Sequence, residues 1–169
     1  MQSWKVRLGA AAFMLGAALF AGCQSTALTA AKLYVQQEDW DKAAMQLQTA
    51  VDETPADAEA WMLLAVARAN LKQFEAAGQA FAHAVEDPTR KEEAARLRRG
   101  WWVKSFNSGV EALEADDFAG AVTAFAAARA IDSSNVDASR NLAYAYYQMD
   151  RAEEAITVYQ DILAMNPDD

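Results

Sequence analysis

The stretch Ala60–Val85, AWMLLAVARANLKQFEAAGQAFAHAV, decides the fold. Large apolar residues at Trp61, Leu64, Phe74 and Phe81 alternate with small ones at Ala65, Ala77 and Ala84, and Arg68 lies among them. Such a pattern suits two helices in close contact, with alanines where the backbones approach and rings where a neighbouring layer must be filled. A single hairpin of this kind cannot bury its own apolar face, so the pattern has to recur along the chain. Outside the stretch, proline and glycine are few (three and seven), alanine is abundant, and no alternating β-branched run occurs. The chain therefore reads as nearly all helix.

Trp61, Leu64, Ala65, Phe74, Ala77, Phe81 and Ala84 resemble the tetratricopeptide repeat, a 34-residue helix-turn-helix unit, with Arg68 at the usual Tyr and Ala65 at the usual Gly. With residues 58–91 as one unit, the rest falls into the same frame. Residues 24–57 supply Ala31, Tyr34, Trp40, Ala43, Leu47, Ala50 and Pro55; residues 102–135 supply Gly109, Phe118, Ala121, Phe125 and Ala128; residues 136–169 supply Leu142, Ala143, Tyr146, Ala155, Tyr159 and Pro167. Ala31, Ala65, Gly109 and Ala143 are expected to let each first helix approach its partner, as Ala43, Ala77, Ala121 and Ala155 do from the second. Leu47, Phe81, Phe125 and Tyr159 are expected to fill the space between units. The resemblance implies an all-α, right-handed α-solenoid of four hairpins.

Residues 92–101, EEAARLRRGW, separate the second and third units. Pro88 and Thr89, with Glu92 three residues after Thr89, read as a helix start, so the insertion is expected to extend the first helix of the third unit. Arg90, Lys91, Arg96, Arg98, Arg99 and Lys104 gather here beside Trp101 and Trp102. Either they form a solvated face that pairs with acidic residues of the first or last unit, or they meet an anionic partner surface.

The N-terminus carries Lys5 and Arg7, then the apolar run Leu8–Gly22, and no acidic residue before Cys23, the sole cysteine. This is the layout of a secretory signal peptide. As a helix the run would reach about 22 Å, short of the ~30 Å hydrocarbon core. Leu19, Phe20, Ala21 and Gly22 leading into Cys23 resemble the lipobox of bacterial lipoproteins, with Phe20 where Leu is usual. The resemblance implies removal of residues 1–22 and acylation at Cys23; the alternative is a plain signal peptide with an incidental cysteine. Gln24, where Asp would favour inner-membrane retention, implies the outer membrane, facing the periplasm. One cysteine allows no intramolecular disulfide. The mature chain, residues 23–169, would hold 13 basic and 24 acidic residues, a net charge of −11 against −9 for the whole. That balance disfavours nucleic acid and anionic lipid as partners, so acyl chains rather than charge would hold it to a membrane.

In this family the first helices line a concave groove that takes a peptide or an amphipathic helix. The resemblance places Leu28, Lys32, Val35, Met62, Val66, Asn70, Phe106, Val110, Arg140, Tyr144 and Tyr147 there; Val103 and Leu113 fall at inward positions too, with the interhelix core as the alternative for both. With no capping helix expected after residue 169, the last helix is predicted to leave Ile156, Tyr159, Ile162 and Leu163 partly uncovered, as a docking edge or as packing against the neighbouring helix. No catalytic, cofactor or metal site is expected. His83 stands alone on an outward position, and Asp116/Asp117, Glu153/Glu154 and Asp168/Asp169 lie at turns or helix starts, where carboxylates meet free amides. The reading is a lipid-anchored adaptor for a protein partner in the bacterial envelope, with assembly of a secretion or pilus machine as one role it could serve. It is similar in plan to the pilotin lipoproteins of type IV pili and to the repeat lipoprotein of outer-membrane barrel assembly. The alternative is a self-associating structural protein, a homo-oligomer built through the last repeat.

Overall fold

A computed structural model describes residues 25–165. Cys23 and the signal-peptide layout lie outside the described residues. Eight helices follow in order: α1 (Thr26–Gln36), α2 (Trp40–Glu53), α3 (Ala58–Asn70), α4 (Phe74–Ala84), α5 (Lys91–Glu114), α6 (Phe118–Ile131), α7 (Val136–Gln148) and α8 (Ala152–Met165), with no strand among the described residues. They pair as four antiparallel hairpins, α1/α2 to α7/α8, stacked as an α-solenoid.

Each hairpin turn is built the same way. Glu38, Lys72, Asp116 and Asp150 have positive φ, between 55° and 60°. They recur at intervals of 34, 44 and 34 residues, the middle interval holding the extra ten. The residue after each donates its amide to a carbonyl five back: Asp39 to Tyr34 at 3.0 Å, Gln73 to Arg68 at 2.9 Å, Asp117 to Ala112 at 2.8 Å and Arg151 to Tyr146 at 3.0 Å. This closes the last carbonyls of each first helix in a Schellman motif. The following helix is then capped by a carboxylate at two of the four turns, where Asp39 accepts from the Lys42 amide and Asp117 from the Gly120 amide. Glycine would suit the left-handed position better, so each turn holds its shape against a backbone preference of roughly 1 kcal/mol.

Small residues sit where helices touch. Ala31, Ala65, Ala143, Ala43, Ala77 and Ala121 are fully buried, and Ala155 nearly so. Gly109 packs so closely under Phe125 that a Cβ there would lie 2.6 Å from the ring. Leu47, Phe81 and Phe125 are fully enclosed between units. Tyr159, expected to fill the same position, is 47 % exposed, because among the described residues no further helix covers that side of α8.

The seam between the second and third units departs from the other two. At α2/α3 and α6/α7 the second helix of one unit packs on the first helix of the next, whereas α4 packs mainly on α6 and only lightly on α5. Gly78 permits this, since a Cβ there would fall 2.0 Å from the Ala130 carbonyl oxygen. Ile131, at the end of α6, therefore joins the core of the first two units, against which Leu97, Trp101 and Trp102 of α5 also pack. The third and fourth units enclose a separate core around Phe125, Leu142 and Val158.

α5 runs unbroken for 24 residues, where the other helices have 11 to 14. Its start differs from the expected one. Thr89 gives its hydroxyl to Asp87 at 2.6 Å, and Asp87 also accepts from the amides of Thr89 and Arg90. The carboxylate outcompetes the hydroxyl as acceptor, so the turn belongs to Asp87 and Arg90 stands at the cap without a capping side chain.

Candidate functional site

The residues expected to line the groove divide into three sets. Leu28 and Met62 are 0 % and 3 % exposed and belong to the core, a correction to the expected lining. Leu28 lies within the first core, and Met62 packs with Ala84 and Ala94, where the N-terminal part of α5 closes over the second unit. Val35, Val66, Phe106 and Val110 are half-buried and brace the two cores from their rims. Phe106 stacks on Trp102 at 4.8 Å and meets Phe125 edge-on at 5.3 Å, so it is a packing residue with one face to solvent. Of the two residues read as groove or interhelix core, Val103 is 40 % exposed, while Leu113 packs on the second core.

The polar members are tied to the scaffold. Lys32 on α1 pairs with Glu59 on α3 at 2.8 Å, bridging the first two units. Asn70 gives its amide to the Val66 carbonyl at 2.9 Å. Arg140 reaches Asp137 at 3.4 Å on its own helix. What remains open is aromatic: Tyr144 and Tyr147 of α7 are 46 % and 66 % exposed. Along α8, Ile156, Tyr159 and Leu163 are exposed in a row, whereas Ile162 is buried at 5 % against the second core and leaves the expected docking edge.

Arg68, standing where the repeat usually has Tyr, crosses its hairpin. Its guanidinium donates to the Ala76 carbonyl at 3.3 Å and to the side-chain oxygen of Gln48 on α2, so it makes the joining contacts of the missing ring. Burial pushes its pKa below the usual guanidinium value. His83 is exposed and stacks on Trp61 at 4.4 Å, and the Trp61 indole N–H donates to the Pro55 carbonyl at 2.9 Å.

The basic insertion is only partly neutralised. Arg90 reaches Glu59 at 3.9 Å and Glu93 at 3.1 Å, and Arg98 pairs with Asp132 at 3.3 Å. Those partners come from the second and third units and from α5 itself, not from the first or last unit as expected. The Lys104 ammonium lies 4.8 Å over the Trp101 ring. Arg98 and Asp132 also line the rim of an open cleft of about 640 Å³ between α4 and α6. Arg129, in the same cleft, is paired with Asp161 at 2.6 Å, so each arginine there already has its carboxylate. Among the described residues no three His, Cys, Asp or Glu side chains converge as metal ligands, and no helix is long and apolar enough to cross a membrane.

Two family models, both described as tetratricopeptide repeat, match residues 28–91 and 112–169, together 122 of the 169 residues. No curated protein matches. Among solved structures the chain is similar to MamA (19 % identity, 83 % of this chain and 72 % of that one, TM-score 0.39). It is also similar to TTC0263, a thermophilic tetratricopeptide-repeat protein of Thermus thermophilus (18 %, 87 % and 93 %, 0.38). A third is MamA 41-end from Desulfovibrio magneticus RS-1 (12 %, 86 % and 98 %, 0.38).

Proposed function

Because the chain belongs to the tetratricopeptide-repeat family, we propose that it is a lipid-anchored adaptor that holds a protein partner in the bacterial envelope. Its repeats support a protein-interaction scaffold, a role this family fills without chemistry of its own. The observation that carries partner binding is the pair Tyr144 and Tyr147, two rings about one turn apart on α7 that the fold leaves uncovered, where the other first helices expose at most single large apolar side chains, Leu33 of α1 and Val103 of α5. Tyrosines so placed supply contact area at small entropic cost and keep a hydroxyl for the partner's backbone. An amphipathic helix or an extended apolar segment suits them. Attachment through Cys23, at the outer membrane and facing the periplasm, rests on the basic, apolar, Leu-Phe-Ala-Gly-Cys order of the first 23 residues and on Gln24.

The test is copurification of the tagged full chain from detergent-solubilised envelopes, beside the variant Tyr144→Glu, Tyr147→Glu. A defined partner held by the parent and lost from the variant supports the adaptor; the same partner retained by both removes the α7 surface from the argument. Radiolabelled palmitate incorporation that survives Cys23→Ser would refute the anchor. A second reading, self-association through α8, is favoured by the exposed row Ile156, Tyr159, Leu163. Under it Tyr159→Glu yields monomers, and an unchanged sedimentation profile would sink it.

A further inference from the structure

The outward stripe of α5 has a charge order that its own mirror can read. Arg96, Arg99, Gly100, Val103, Asn107, Glu111 and Glu114 are all exposed and recur every three to four residues, so they share one helical face. Its N-terminal end is basic and its C-terminal end acidic. Arg96, Arg99, Glu111 and Glu114 make no ion pair or side-chain hydrogen bond with any described residue. The residues are symmetric about position 105: Arg96 lies as far before it as Glu114 lies after it, and the same holds for Arg99 with Glu111 and for Val103 with Asn107.

Gly100 is the second, independent observation. It sits inside a 24-residue helix, on the exposed face, where glycine costs roughly 1 kcal/mol relative to alanine. Gly78 and Gly109 are each explained by a neighbour that a Cβ would strike; a Cβ on Gly100 would meet nothing within 4 Å. No packing inside the chain asks for it. A glycine between two arginines and a valine does serve a second helix laid across this face, since it lets the two axes approach.

We propose that this face of α5 pairs with the same face of a second copy of the chain, antiparallel about a two-fold axis near residue 105. Arg96 and Arg99 of each copy then meet Glu114 and Glu111 of the other over a stripe about 27 Å long, at 1.5 Å per residue. The contact is isologous, so it closes at a dimer rather than growing into a fibre. It is distinct from the α8 row. Like charges that would confront each other in a parallel or shifted register make the antiparallel one the matched arrangement. A helix stripe of this width makes a small interface, and the dimer is expected in the micromolar range.

The test uses full-length chains in a nonionic detergent, by sedimentation velocity from about 1 to 200 μM, a range that brackets a weak dimer. Chain one carries Arg96→Glu and Arg99→Glu, making the stripe wholly acidic; chain two carries Glu111→Arg and Glu114→Arg, making it wholly basic. All four positions are exposed, and circular dichroism checks that each variant folds. The expected results are a dimer for the parent, association weakened at least about tenfold for either variant alone, and recovery in the equimolar mixture as a hetero-pair. A chain carrying all four changes should pair like the parent, since its order is reversed but still self-complementary. Gly100→Gln should weaken the parent dimer without lowering helix content. A parent that stays monomeric throughout, or a mixture that associates no better than its components, overturns the proposal. A dimer insensitive to all four charges but abolished by Tyr159→Glu overturns it in favour of the α8 row.

Discussion

Gly109→Ala and Gly100→Ala are the same substitution in the same helix, and the structure assigns them opposite signs. At Gly109 the added carbon would lie 2.6, 2.7 and 2.8 Å from three ring atoms of Phe125, where ordinary contact begins near 3.4 Å. Phe125 is fully buried and cannot swing away. Its ring is set edge-on to Phe106, which is stacked in turn on Trp102, so relieving the clash moves three aromatic groups. Overpacking of this kind costs about 1–3 kcal/mol, and alanine returns about 1 kcal/mol in helix propensity. With three ring atoms inside 3.0 Å the overpacking belongs to the upper part of that range, about 2–3 kcal/mol, so the net destabilisation is about 1–2 kcal/mol, which lowers Tm by about 2–8 °C for a chain of this size. At Gly100 only the propensity gain operates, and Tm should rise by about 2–4 °C. Thermal melts followed by circular dichroism, at concentrations below the association range, measure both. Equal shifts of the same sign would refute the packing argument, since they would mean that Phe125 yields without cost.

The same geometry yields three further expectations. Phe81→Ala empties a fully enclosed position between units and should cost about 3–5 kcal/mol in urea unfolding, while Tyr159→Ala at the corresponding place on α8, 47 % exposed, should cost under about 1 kcal/mol. Lys72→Gly and Asp116→Gly relieve left-handed non-glycine residues with φ of 60° and 56°, and each should raise stability by about 0.5–1 kcal/mol; a loss would contradict the Schellman geometry. The Thr89 hydroxyl, then the Thr89 amide, hold the Asp87 carboxyl below its ordinary value of 3.8. A group whose pKa is lowered by folding contributes stability that is complete above the unfolded value and is lost as pH falls through the folded one. Asp87→Asn should therefore flatten the parent's stability loss as pH falls below 3.8, and an identical slope in denaturant titrations would remove Asp87 from the account.

The register of the four hairpins was legible because it is written in side-chain size. Gly109 under Phe125 and the buried alanines at each crossing follow from which positions tolerate no bulk. Exposure was harder to read. Whether Leu28 and Met62 face a groove or a core depends on how far each unit turns relative to the next, and a hydrophobic residue serves either side. Tyr159 occupies the right position, but its burial depends on a neighbour, not on its own identity. The hairpin turns carry no glycine signal, because Glu38, Lys72, Asp116 and Asp150 stand at the left-handed positions; only their recurrence at the repeat interval marks them in the sequence. Arg90 and Arg98 drew the expected kind of partner from unexpected units, since α5 packs on α6 of its own unit and, more lightly, on α3 and α4 of the second, with no comparable contact to the first or last. The α4–α6 seam had one sign, Gly78, which one sequence does not distinguish from an ordinary small residue.

That seam bears on how the number of repeats could ever change. At α2/α3 and α6/α7 a unit ends on a surface that the next unit reads in the same way, so a duplicated or transplanted hairpin would find a ready seat. Between α4 and α5 it would not. Gly78 is fitted to the backbone of Ala130, and Ile131 is lodged in a core built by residues of the first two units. Lengthening at that boundary would pull Ile131 out and strand both. The molecule is thus modular at two of its joints and indivisible at the third, and any longer or shorter relative should differ by units added outside the pair that this joint locks together.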